Sequence, residues 1–325
     1  CLLASKELQS YLENQTDWKH NFGLNNEAES SNGKMFGVLL VQNKEGEIGY
    51  LAAFSGKLAG ANHHSKFVPP IFDMLTDEGF FNQGQIELSS IHEQVRALEK
   101  NPKLIEAQKF LKVEEEQSLT NIEEQRVLIR ANRKVRKEQR QKAEKELSSE
   151  ECHSFNGQLS KVSVREKFQL EALKKQAKER IEIAQGKLDV YTSEIDYLKT
   201  QRKELSGSLQ QQLFDQYHFL DINGNEKSLC AIFKETAQLT PPAAAGECAA
   251  PKLLQYAFEN QLKPLAMAEF WWGESPKSAI RKHRQYYPAC QGKCQPILGH
   301  MLQGMEVDEN PLLNNPAEGK SIDII

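Results

Sequence analysis

Three cysteines have the types and spacing to do chemistry together: Cys248, then Cys290 and Cys294. Thiolates bind zinc at about 2.3 Å, and helix N-termini help to stabilise thiolates. Cys248 precedes a stretch in which Leu253, Leu254, Ala257 and Phe258 share one helical face, with Pro251 well placed in the first turn. Cys290-Gln291-Gly292-Lys293-Cys294 is expected near the start of a second helix. If both helices start at the same edge of one sheet, the three sulfurs converge. Three readings stay open: buried reduced thiols in a core, a structural zinc and a catalytic zinc. A structural zinc wants four protein ligands, and His283 and His300 are eligible for the fourth place by chain proximity alone.

One ligand on one helix and a close cysteine pair on the next is also the layout of zinc nucleobase deaminases. There a glutamate two residues after the first ligand moves the protons. Here that position holds Ala250, and Glu247 points elsewhere on the turn.

Two basic clusters could hold RNA phosphates. Arg126, Arg130, Arg133, Lys134, Arg136, Lys137, Arg140, Lys142 and Lys145 concentrate on one helical stretch, diluted by Glu138, Glu144 and Glu146. The bland alternative is a solvated helix face. Lys277, Arg281, Lys282, Arg284, Tyr286 and Tyr287, with His283, mix charge with rings on which bases can stack, or else form a surface loop. His63-His64 has no carboxylate or cysteine at ligand spacing, so a loop is expected there. No phosphate-binding loop, dinucleotide fingerprint, nucleophile elbow or His-Glu-x-x-His pattern occurs.

Composition narrows the classes. The 325 residues carry a net charge of −4, so nucleic-acid binding must rest on a local patch. No run of eighteen apolar residues exists, so no membrane-spanning helix is expected. Six cysteines without a secretory leader argue for a reducing compartment, and the expected location is cytoplasmic. The opening Cys1-Leu2-Leu3 lacks an initiator Met, and Ser321 to Ile325 reads like the start of a strand. The expectation is a piece of a longer chain.

The elements that must position these residues fall into blocks. Residues 5–15 read as a short amphipathic helix. Met35 to Gln42 and Ile48 to Phe54, around a turn containing Gly46, read as a β-hairpin. From 85 to 217 glycine almost vanishes, Pro102 is the only proline, and Leu170, Ala177, Ala184, Tyr191, Leu198 and Leu205 recur every seven residues. Ile181, Leu188 and Ile195 fill the alternate places. The spacing predicts two long helices, each reaching roughly 65 Å at about 1.5 Å per residue. Their tip is expected between 148 and 157, with Asn156-Gly157 as a turn. Leu265 to Trp272 is predicted as a buried strand, and 306–320 as a linker. The expected fold class is α+β, an α/β sandwich with a deaminase-like layout, carrying an inserted antiparallel coiled-coil hairpin. Its blocks are 1–84, the hairpin 85–217, 218–310, and a linker 311–325.

Six longer phrases carry a resemblance: Met35 to Leu40, Gly49 to Gly60, Phe67-Val68-Pro69-Pro70, Gly246 to Ala257, Pro264 to Gly273 and Tyr287 to Leu302. Together they resemble the long N-terminal extension of some bacterial RluA-type RNA pseudouridine synthases, over nearly the whole chain. The resemblance implies a synthase domain beginning near Ile322 in a parent isomerase that converts uridine to pseudouridine in ribosomal or transfer RNA without a cofactor. The family's catalytic Asp lies in an Arg-Leu-Asp motif, which is absent here, so no catalytic residue is carried over. The expected function is a non-catalytic accessory region that engages or positions RNA. The alternatives are a coiled-coil protein–protein module and a zinc-dependent deaminase-like enzyme.

Overall fold

The structure is a computed structural model that describes residues 1–24, 32–276 and 280–312. In chain order the elements are α1 (Leu2–Asn14), β1 (Lys34–Gln42), β2 (Ile48–Phe54), α2 (Phe80–Glu99), α3 (Pro102–Glu146), α4 (Ser149–Asp215), β3 (His218–Leu220), β4 (Glu226–Ser228), α5 (Leu229–Lys234), α6 (Ala249–Glu259), β5 (Lys263–Trp272) and α7 (Cys294–Met301). The chain divides into two units, residues 1–85 with 206–325, and residues 86–205. The mixed helix and sheet of the α+β expectation are present.

In the first unit, alternation along the strands makes a two-faced sheet. Its order is β2-β1-β5, antiparallel throughout, with Phe36 opposite both Phe54 and Phe270. Phe36, Val38, Ala52, Phe54, Phe270 and Trp272 pack with Ala4, Leu8 and Leu12 of α1. The opposite face presents Leu39, Val41 and Ala53 to Ala249, Leu253 and Ala257 of α6 and to Ile297 and Met301 of α7. Each large side chain buried this way contributes about 1.5–3 kcal/mol, so the sheet is held from both sides. Glu269 is on the α6 face, opposite Gly37 of β1.

The second unit is the helical insertion. Pro102 cannot continue a helix begun upstream, so α2 ends at Glu99. Asn101 caps α3 by accepting from the Lys103 N–H at 2.9 Å. The chain reverses at Leu147-Ser148. Ser148 and Glu151 bond reciprocally there: Ser148 donates from Oγ and N–H to Glu151 Oε2 at 2.6 and 3.1 Å, and Ser148 Oγ accepts from the Glu151 N–H at 3.5 Å. Cross-arm partners then run in opposite directions: Lys187 sits over the Phe110 ring at 4.6 Å, Asn132 meets Glu166, and Arg140 meets Ser160. The heptad positions Ala177, Ala184, Ile195 and Leu198 are buried as their spacing predicts.

Two boundaries differ from the sequence reading. Asn156-Gly157 is not a turn but lies inside the 67-residue α4. A Cβ at Gly157 would meet nothing within 4 Å, so this glycine answers no steric demand. The helical block also returns to the first unit at Ser206 and not at 218, because Leu209, Leu213 and Phe214 at the end of α4 are buried within that unit. The short α5 has no counterpart in the sequence reading. Most of the expected linker lies outside the described residues.

Candidate metal centre and basic arm

The sulfurs of Cys248, Cys290 and Cys294 lie within 4.8 Å of one another. Those of Cys290 and Cys294 are 3.4 Å apart. Cys248 is the N-cap of α6, yet its sulfur makes no cap bond, and Pro251 in the same turn has no N–H to cap. Cys294 opens α7, and its N–H donates to Cys290 Sγ at 3.4 Å. The Cys290 carbonyl accepts from the N–H groups of Cys294 and Gln295 at 3.2 and 3.0 Å, which winds the pair into the helix start. Gly37 lets α6 close onto the sheet: a Cβ there would stand 3.0 Å from Leu253 and 3.1 Å from Ala249.

The thiols share protons. Hydrogen bonds from Cys248 and Cys294, helped by the N–H groups of Cys294 and Lys293, hold Cys290 down to about 2. Cys248 is pushed up to about 12, chiefly by its bond to Cys290. Cys294 is also raised, first by Cys248 and then by Cys290. Three thiolates this close repel one another unless a cation sits between them. Tetrahedral zinc with bonds of about 2.3 Å places sulfurs about 3.8 Å apart, between the 3.4 Å of the Cys290–Cys294 pair and the 4.8 Å within which all three lie. Cys294 is 2% exposed, whereas Cys248 and Cys290 are partly open.

Neither histidine considered as a fourth ligand belongs to this cluster. His300 Nε2 is 2.9 Å from the Phe219 carbonyl. His283 accepts from the Gly273 N–H at 3.0 Å and packs on Trp272 at 4.4 Å. Glu247 is also committed, to the Tyr217 hydroxyl and to Lys252 at 3.4 Å. The sequence reading missed Glu269. Its Oε1 accepts from the Ala250 N–H at 3.2 Å, which puts a carboxylate against the residue where the deaminase layout wants its glutamate. Burial, with Cys290 adding to it, raises Glu269 to about 7. The signal was available: Glu269 is the one charge in Leu265 to Trp272.

The basic arm lies on α3. Gln125, Ile129, Asn132, Arg136, Arg140 and Ala143 form its shielded stripe. One position on, at spacings of four, three and four, come exposed Arg126, Arg130, Arg133 and Lys137. Arg126 and Arg130 share Glu123 as ion-pair partner. Arg133, Lys134 and Lys137 are exposed and have no ion-pair partner among the described residues. Arg136 is not on the open stripe: it is buried and paired with Glu166. Arg140 is half-buried, with Nη2 donating to Ser160 Oγ at 3.3 Å. Exposed Lys161, Arg165 and Lys167 flank Glu166 on α4, and the sequence reading passed over them.

The second basic cluster largely satisfies itself. Arg281 lies over the Tyr287 ring at 4.2 Å, and the Tyr287 hydroxyl accepts from the Lys282 N–H at 2.7 Å. Arg284 pairs with Glu13 and sits 5.3 Å over Trp272. Tyr286 packs edge-on to Phe270 at 6.2 Å. Lys277 lies outside the described residues. His63 pairs with Asp73 at 2.9 Å.

No family model, curated protein or solved structure matches this chain. No described helix is long and apolar enough to cross a membrane.

Proposed function

We propose that this chain is an RNA-engaging accessory region of a pseudouridine synthase, with the hairpin as its phosphate-binding arm. The observation that carries the reading is the stripe Arg126, Arg130, Arg133 and Lys137, with Lys134 beside it, standing exposed along α3. Helically spaced cations track a phosphate backbone and release counterions on binding. The link to pseudouridine synthesis rests on the six sequence phrases given above. In a salt titration of the full chain with a structured RNA, Arg130→Glu/Arg133→Glu/Lys137→Glu should weaken binding and lower the slope of log K against log salt by about 3. An unchanged affinity and slope would remove the arm from this role.

The metal assigned to the three-thiol centre is zinc, because zinc accepts thiolate sets at helix starts and needs no redox partner. A second reading for the arm has its own observation. Ile183, Val190 and Tyr197 are 61%, 69% and 62% exposed and lie seven residues apart on α4. That spare seam suits another helix. Self-association that is insensitive to salt, measured by ultracentrifugation and lost in Ile183→Lys/Val190→Lys, would favour it over RNA.

A further inference from the structure

The three-thiol centre has a neighbour that a purely structural site does not need. Helix α6 begins at Ala249 behind its N-cap Cys248, and its first turn has N–H groups on Ala249 and Ala250 that no carbonyl within the helix can accept, and none on Pro251. An N-cap side chain ordinarily accepts from this turn. Cys248 does not; its sulfur belongs to the thiol cluster. Glu269 reaches across from β5 and accepts from Ala250 in its place. A carboxylate that is 8% exposed thus stands on the apolar face of the sheet, bonded to Ala250, two residues along the chain from Cys248 of the thiol cluster. The Ala250 N–H engages one of its two oxygens, Oε1. Among the described residues the tight ligand cluster holds the three sulfurs alone, so the carboxylate is not a member of it. No histidine completes that cluster, and Cys248 and Cys290 are partly open to solvent.

We propose that this centre binds zinc through three thiolates and keeps its fourth position for an exchangeable water or small anion, with Glu269 as the carboxylate that accepts the water's hydrogen bond. The inference rests on the assignment of zinc to the three cysteines. Three protein ligands and one open position separate a site that can polarise a bound molecule from one that only braces the fold. Gly37 serves this arrangement: facing Glu269 across the β1–β5 register, it lets α6 come down beside the carboxylate.

The test uses the full chain, reduced, stripped of metal and titrated with cobalt(II), whose thiolate charge-transfer and ligand-field bands report sulfur count and coordination. The expected result is one equivalent bound with a three-thiolate spectrum, and a saturable shift of the ligand-field bands on adding azide. Glu269→Gln keeps an oxygen for the Ala250 N–H, so the fold and the metal stoichiometry should persist. The azide dissociation constant should nevertheless change about tenfold, the size of effect that groups around a metal's ligands typically exert. Bands indifferent to azide in the unmodified protein would overturn the open position. A Gln variant that matches it within about twofold would reduce Glu269 to a helix cap. Failure to take up cobalt at all would overturn the zinc assignment itself, and is distinguishable from both.

Discussion

The Arg136 guanidinium of α3 lies 2.7 Å from the Glu166 carboxylate of α4, with side chains 9% and 11% exposed. Asn132 donates to the other carboxylate oxygen at 2.8 Å. A buried charged pair of this kind fixes which residues of two long helices face each other, since any slip strands both charges. Arg136 therefore spends its charge on the register of the hairpin.

Arg136→Leu should cost about 1–3 kcal/mol by leaving Glu166 without its partner. Arg136→Leu with Glu166→Leu should recover much of that loss. Thermal unfolding of the full chain by circular dichroism checks this, and equal losses in the single and double variants would refute it. Acid supplies a second check. The Arg136 hydrogen bond holds the Glu166 carboxyl below its ordinary 4.5. A carboxyl lowered in the folded state contributes stability that is complete above the unfolded value and lost as pH falls through the folded one. The stability gap between the unmodified protein and Glu166→Gln should thus be constant above about pH 5 and close below about 4.5.

Protein purified without chelator should carry one zinc per chain by elemental analysis. Cys248→Ser, Cys290→Ser and Cys294→Ser should each reduce that content, and chelation should lower the melting temperature because metal binding adds to folding free energy. Full zinc occupancy in all three variants would rule out the thiol cluster as the ligand set.

Gly37→Val should damage the metal centre without touching a ligand. The new side chain would press on Leu253 and Ala249, and overpacking of this kind costs about 1–3 kcal/mol. Moving the start of α6 moves Cys248, so zinc content should fall with stability. A destabilised variant with full zinc would show that α6 is positioned by something other than its approach to β1.

Gly157→Ala should stabilise the protein by about 0.5–1 kcal/mol, as expected for a glycine in a helix interior with open space around it. Ser148→Ala should cost about 1 kcal/mol, because Ser148 holds the cap at the reversal. A loss at Gly157 and none at Ser148 would move the turn back to Asn156-Gly157.

These sites also show what the sequence could and could not convey. The heptad spacing of Leu170 through Leu205 and the two apolar runs Met35–Gln42 and Ile48–Phe54 around the Gly46 turn are local signals, and the helices and the hairpin follow them. The convergence of Cys248 with Cys290 and Cys294 was legible because Cys248 and Cys294 mark helix starts, with Cys290 four residues before the second. Asn156-Gly157 misled because turn residues are only permissive: the decisive reversal came from the Ser148–Glu151 cap a few residues earlier. Arg136 looked like its basic neighbours because a helix face is not decided by composition. Its partner, thirty positions away, decided it. Glu269 was hidden for a similar reason. A lone acid in an apolar strand acquires meaning only when α6 is laid over that strand.

The pairing of Lys34 in β1 with Trp272 in β5 has a consequence in time. About 240 residues separate them, and at roughly 5–20 residues per second the ribosome needs on the order of 10–50 s to make that stretch. Through that interval β1 has β2 on one side and an unsatisfied edge on the other. The helical insertion, whose contacts are local along each arm, can fold during the wait. Its antiparallel arms then return the chain to where it departed, which shortens the search that β5 must make. A nascent chain stalled before residue 263 would hold a finished hairpin of helices and an open strand edge, the state most exposed to pairing with the wrong neighbour.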